Sequence, residues 1–194
     1  MNDPISPERW KDVLADAAAI ADEYRSEGWE VLEVQPGSVS PAEKDERFGL
    51  SVLLPGNEYE AVEKLIEDDE IEFDGAEVYA NEIGNTVYAM VVERDTATET
   101  AVVIPMAYSI GDLQRVFERA LETGHLELHL RPLTIEDWVT FVHDEPTLFF
   151  DPEKLETVIE NDSQRNAKAM IEAAYEEESS AAGADESDEE YGSE

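Results

Sequence analysis

The chain has no cysteine. Structural disulfides and thiolate chemistry are both excluded. Basic residues are scarce: 13 Lys and Arg stand against 49 Asp and Glu, for a formal charge of −36. With no basic stripe, binding to nucleic acid through phosphate contacts is not expected. Long apolar runs are missing too. The longest uncharged run, Thr100 to Gly111, falls far short of the roughly 20 apolar residues of a membrane helix. The opening MNDPISPERWKD has no basic n-region and no apolar stretch, so a signal peptide is not expected. No GxSxG, GxGxxG or GxxxxGK occurs. Neither a serine nucleophile nor a nucleotide site has a fingerprint.

What is present is a hydrophobic fraction of 42%, enough for an ordinary core. The acid is spread along the whole chain. In dilute buffer such self-repulsion opposes compaction. At molar salt the Debye length falls to about 3 Å and most of it is screened. Arg outnumbers Lys, and short acids and Ala replace long Lys stems. These features point to the cytoplasm of a salt-in halophile. The competing reading is an acidic mimic of nucleic acid. Residues 1–175 are expected to form one domain. Residues 176–194, ending ESSAAGADESDEEYGSE, cannot bury enough surface to offset chain entropy and are expected to be a disordered acidic tail.

Ser6-Pro7 reads as a helix cap and first position. Trp10, Val13, Leu14, Ala17, Ile20, Ala21 and Tyr24 recur at helical spacing, and Gly28 stops the helix. WEVLEV is a strand, and residues 35–47 read as a loop long enough to suggest a job. FGLSVLLP is a second strand, followed by a short helix. Three antiparallel strands follow at about 76–83, 86–94 and 99–108, with Gly84-Asn85 as a two-residue turn. Pro105 suggests an edge or a bulge. Ser109 to Asp112 predicts the start of a helix bearing Leu113, Val116 and Phe117. HLELHLR alternates strictly and predicts a strand with one polar face. Thr134 is expected to cap a helix with Ile135, Trp138, Val139 and Val142 inward, and TLFF to form a short strand. A last helix from Asp151-Pro152 is expected to bend near Asp162. The fold class is α+β: a mainly antiparallel sheet of five to six strands with helices packed on it.

Candidate chemistry is sparse. His125 and His129 lie four apart on a strand, roughly 13 Å at 3.3 Å per residue. They cannot share one metal, so no metal site and no cofactor is expected. Arg115 and Arg119 read as ion-paired with helix neighbours on a solvated face. Among the carboxylates, Asp144 and Glu145 beside Pro146 are the best placed for acid–base work, and His143 reads as a helix-end residue. Trp10, Trp29, Trp138 and Phe117 sit at core spacing.

The segments EYRSEGWEVLEVQPG, FGLSVLLPGNEYEAVEKL and YAMVVERD…TAVVIPMAY resemble a family of small haloarchaeal proteins known only as a domain of unknown function. The resemblance covers roughly residues 7 to 150, supports the high-salt reading and implies no activity. The leading expectation is a non-catalytic protein-binding or regulatory module with another protein as partner. Its candidate surface is His125, Glu127, His129 and Arg131. The alternative is a small enzyme or small-molecule binder with a pocket between sheet and helices. That pocket would have His129, Arg131 or His143 converging on it.

Overall fold

The computed structural model describes residues 5–44, 47–134 and 137–182. The chain divides into two compact units, Met1–Leu155 and Glu156–Glu194. The first helix, α1 (Pro7–Ser26), begins as its sequence dictates. The Ser6 side chain accepts from the Arg9 amide, and Pro7 occupies the first turn. Gly28, just past its end, has φ of +100°, a left-handed conformation that glycine adopts without steric cost.

Then follow β1 (Glu30–Glu33), β2 (Ser38–Lys44), β3 (Arg47–Leu53), α2 (Gly56–Ile66), β4 (Gly75–Ile83), β5 (Thr86–Asp95) and β6 (Thr100–Ser109). The chain continues through α3 (Gln114–Thr123), β7 (Leu126–Arg131), β8 (Val139–His143), a 3-10 turn (Pro146–Leu148) and α4 (Pro152–Ala182). The class is α+β, but the strands do not form one sheet. They form two four-stranded sheets, ordered β1-β6-β5-β4 and β2-β3-β7-β8. Each is mixed: β1 with β6 and β3 with β7 run parallel, and the remaining neighbours run antiparallel.

The expected loop at 35–47 is largely β2, paired along its length with β3 from Ser38↔Leu53 to Lys44↔Arg47. SVSPAEK carries little apolar signal because β2 is an edge strand with exposed positions. Pro41 is tolerated there for the same reason. The helix expected after Thr134 is not formed at its C-terminal half. Val139–His143 is instead β8, with Val139, Phe141 and His143 buried and Thr140 and Val142 exposed. Ile135 lies outside the described residues. TLFF is a 3-10 turn rather than a strand. The helix expected from Ser109 begins only at Gln114, with no side-chain cap. Pro105 lies in an inner strand, beyond the end of β1, which pairs only with Thr100–Val103. α4 is continuous through Asp162 and on to Ala182, so the segment 176–182 is helical. The rest of the expected tail, 183–194, lies outside the described residues.

α1 lays Ala17 and Ala21 on Met90, Val92, Ala101 and Val103, one face of the first sheet. By strand alternation the other face presents Val87, Ala89, Val91 and Glu93. That face turns toward the second sheet, where Glu93 meets His143. Phe117 of α3 stacks on Phe150 at 4.2 Å. The buried Tyr108 hydroxyl donates to the Phe149 carbonyl at 2.6 Å.

Candidate functional site

β7 alternates as its sequence predicts. Leu126, Leu128 and Leu130 are buried, and Glu127, His129 and Arg131 lie on the opposite face. His129 is nonetheless only 1% exposed. Its Nδ1 lies 2.8 Å from Thr140 Oγ1 on β8, and its ring meets Trp138 edge-on at 5.5 Å. Its Nε2 is 3.3 Å from one oxygen of Glu127, and His125 Nε2 is 3.8 Å from the other. One carboxylate therefore stands between both imidazoles. Among the described residues no group of three or more His, Asp or Glu is placed to hold a metal. Trp138 is half-buried and serves this polar face rather than an inward helix face. Arg131 donates from Nε to Ser51 Oγ at 2.7 Å.

Burial lowers the His129 pKa below its ordinary 6.5; Glu127 pulls it up and Arg47 pushes it down. The folded state thus resists protonation where the unfolded chain accepts it. Above about pH 6.5 both states are neutral and this group costs nothing. As pH falls below that value the unfolded chain takes up the proton first, and stability is lost. The His129→Gln variant is expected to lose less stability than wild type between pH 7.5 and 5.5. Urea midpoints at the two pH values test this, and equal losses would refute it.

The second cluster was not foreseen. Glu93 Oε1 lies 3.0 Å from His143 Nε2, with the side chains only 5% and 6% exposed. Yet neither atom has a hydrogen-bond partner in line among the described residues. The pair forms the floor of a cleft of about 520 Å³ between β4 and β8. Ile66 at the end of α2 and Ile71 and Phe73 of the connection to β4 also line it. Phe73 meets Phe141 edge-on at 5.4 Å. Asp95 anchors this connection by accepting from the Glu72 amide at 3.0 Å. Hydrogen bonds from Thr98, Glu72 and Ala97 hold the Asp95 carboxyl below its ordinary pKa.

His143 is thus a strand residue between Glu93 and Phe149, not a helix end. Asp144 and Glu145 line the same cleft but are exposed. The buried carboxylate is Glu93 instead. A signal for it existed: alternation sets Glu93 on the β5 face of Val87, Ala89 and Val91, and an acid on an apolar face is costly without a purpose. Among the described residues Arg115 and Arg119 form no ion pair with helix neighbours, contrary to expectation. Arg115 reaches Glu43 at 3.1 Å, and Arg119 sits over the Phe48 ring at 4.3 Å.

The model of a family of unknown function (DUF7529) matches residues 2–151. No curated protein and no solved structure matches the chain.

Proposed function

We propose, for a chain that belongs to the DUF7529 family, that it binds a small organic amine in the β4–β8 cleft. Glu93 and His143 would hold the amine and exchange a proton with it. The observation that carries this reading is the buried pair whose facing atoms lack an aligned hydrogen bond. Buried polar atoms are almost always paired, and leaving them unpaired costs about 1–3 kcal/mol each. A ligand ammonium seated beside the pair, with one N–H directed to each atom, would satisfy both. A carboxylate and an imidazole together also supply the parts of a general acid–base pair. The cleft has the size of a small-molecule site. Its carboxylates Asp74, Asp144 and Glu145 favour a cation, and Phe73, Phe141 and Leu148 suit an apolar body.

What supports this over a protein-contact role is the fate of the expected surface. His129 is buried under Trp138 rather than presented. The setting we propose is a high-salt cytoplasm, on the strength of the charge of −36. Among the described residues no helix is long and apolar enough to cross a membrane.

Phenethylamine is the first probe, with phenethyl alcohol as its neutral counterpart. The His143 ring resonances are expected to shift saturably with the amine and much less with the alcohol. Glu93→Gln, which keeps the shape, is expected to weaken amine binding about tenfold or more. Equal shifts with both probes, or undiminished binding by Glu93→Gln, would count against the proposal.

A further inference from the structure

The β4–β8 cleft runs along strand edges. Residues 140–145 line it without a gap. Within that run Phe141 and His143 are buried on one face of β8, and Thr140 and Val142 are exposed on the other. A cavity over one face of a strand meets every second residue. A cavity that meets every residue in turn lies along the edge, where the main chain is presented. β8 has such an edge to offer. Among the described residues it is the last strand of its sheet and pairs only with β7. Residues 73–76 line the cleft in the same unbroken way. They lead into β4, the last strand of the first sheet.

An open edge carries N–H and C=O groups with no partner in the sheet. Beside an antiparallel neighbour, every second residue turns both groups outward. A simple amine seated at Glu93 and His143 leaves these groups unused. An extended peptide uses them: its ammonium takes the same seat, and its main chain continues the sheet. The kind of ammonium follows from the geometry. A lysine ammonium stands a four-carbon stem away from its own main chain, whereas an α-ammonium adjoins it. His143 belongs both to the seat and to the strand edge, so the α-ammonium is the one that fits. At an ordinary pKa near 8 it is a cation at neutral pH, suited to buried Glu93 and to the exposed carboxylates Asp144 and Glu145.

The size agrees. Strand rise, strand spacing and sheet separation together allot about 160 Å³ to each residue of a packed sheet. A cleft of about 520 Å³ takes about three residues on that scale. We infer, building on the amine reading, that the amine is the free N-terminus of an extended peptide whose first three residues pair with the open edge of β8. With its ammonium at His143 and its chain running back toward Thr140, the peptide lies antiparallel to β8.

The test follows the His143 ring resonances at a KCl concentration that keeps the protein folded. The probe is the tripeptide amide alanyl-valyl-alanine amide, titrated beside phenethylamine. The free tripeptide is expected to bind about tenfold or more tightly than phenethylamine, and its N-acetyl form at least tenfold more weakly than the free tripeptide. Two further probes carry a single N-methyl group, on the amide nitrogen of the second or of the third residue. Strand pairing turns only one of these two N–H groups toward β8. One methylation is therefore expected to weaken binding about tenfold and the other less than threefold. Glu93→Gln is expected to weaken tripeptide and phenethylamine alike, since both use one seat. A tripeptide no tighter than phenethylamine, or two methylated forms that bind equally, would overturn the inference and leave the amine reading standing. Shifts with the tripeptide and none with phenethylamine would support the inference and confine the amine reading to peptides. The absence of shifts with every probe would overturn both.

Discussion

Gly49→Ala is expected to lower stability by about 3 kcal/mol, near the upper end of ordinary overpacking. For a chain of this size that is a fall of roughly 6–12 °C in melting temperature. The reason lies in the parallel pairing of β3 and β7, where Gly49 stands beside Glu127. A Cβ on Gly49 would fall within contact distance of the Glu127 carbonyl oxygen and 2.8 Å from its carbonyl carbon. Both are backbone atoms of an inner strand and cannot swing away as a side chain could. Accommodation would mean parting the two strands that carry Arg47, Ser51, His129 and Arg131. Gly56 is the matched control. It opens α2, and a Cβ there meets nothing within 4 Å. Gly56→Ala is expected to be neutral or to stabilise by about 0.5 kcal/mol, through a less mobile unfolded chain. Thermal melting of both variants beside wild type decides it. Similar midpoints for the two would mean that β3 and β7 are not so closely apposed.

Dialysis from multimolar KCl to about 0.1 M is expected to unfold the protein or leave it loosely packed. Repulsion between charges then reaches out to about 10 Å instead of about 3 Å. The 49 acids are too many for the 13 cations to neutralise, and a charge of −36 is left over. Several of those cations are already committed to one or two carboxylates each at exposed or half-buried positions: Arg25 to Asp22 and Glu33, Arg94 to Glu77, and Lys154 to Glu82. Exposed pairs of this kind contribute about 0–1 kcal/mol each, too little against repulsion spread along the whole chain. Far-ultraviolet dichroism and melting, followed across the dialysis series, measure the effect. Invariance across the series would remove the ground for a high-salt cytoplasm.

The parts of the fold that can be read locally are those specified by neighbouring residues. Ser6, Pro7 and Gly28 bound α1 because each acts on its own turn of chain. Gly84-Asn85 joins β4 to β5 because a two-residue turn leaves little choice of partner. The division into two sheets is different in kind. β1 joins β6 and β3 joins β7 in parallel across long stretches of chain, and periodicity names a buried face without naming what covers it. The stretch from Ile135 to Val142 is ambiguous on its face. Trp138, Val139 and Val142 fit a helical stripe, while Val139, Phe141 and His143 fit a strand. The strand prevails because β7 needs a neighbour along Leu126–Leu130, and β8 supplies it. The site divides the same way. The polar side of β7 is local and legible. The meeting of Glu93 with His143 exists only once both sheets are in place.

Pro41 has a bearing on how copies of the molecule behave toward each other. It lies in β2, at the outer border of its sheet. Such borders are templates for a strand from a second molecule. A proline is accepted in a ladder where its nitrogen points away from the neighbour, so the gap in donors falls on the open side. Repulsion between like-charged molecules would normally keep such borders apart, but salt that screens charge inside the protein screens it between proteins too. A missing N–H is indifferent to ionic strength. Pro41 therefore guards this border against edge-to-edge association under the conditions in which acidity no longer does.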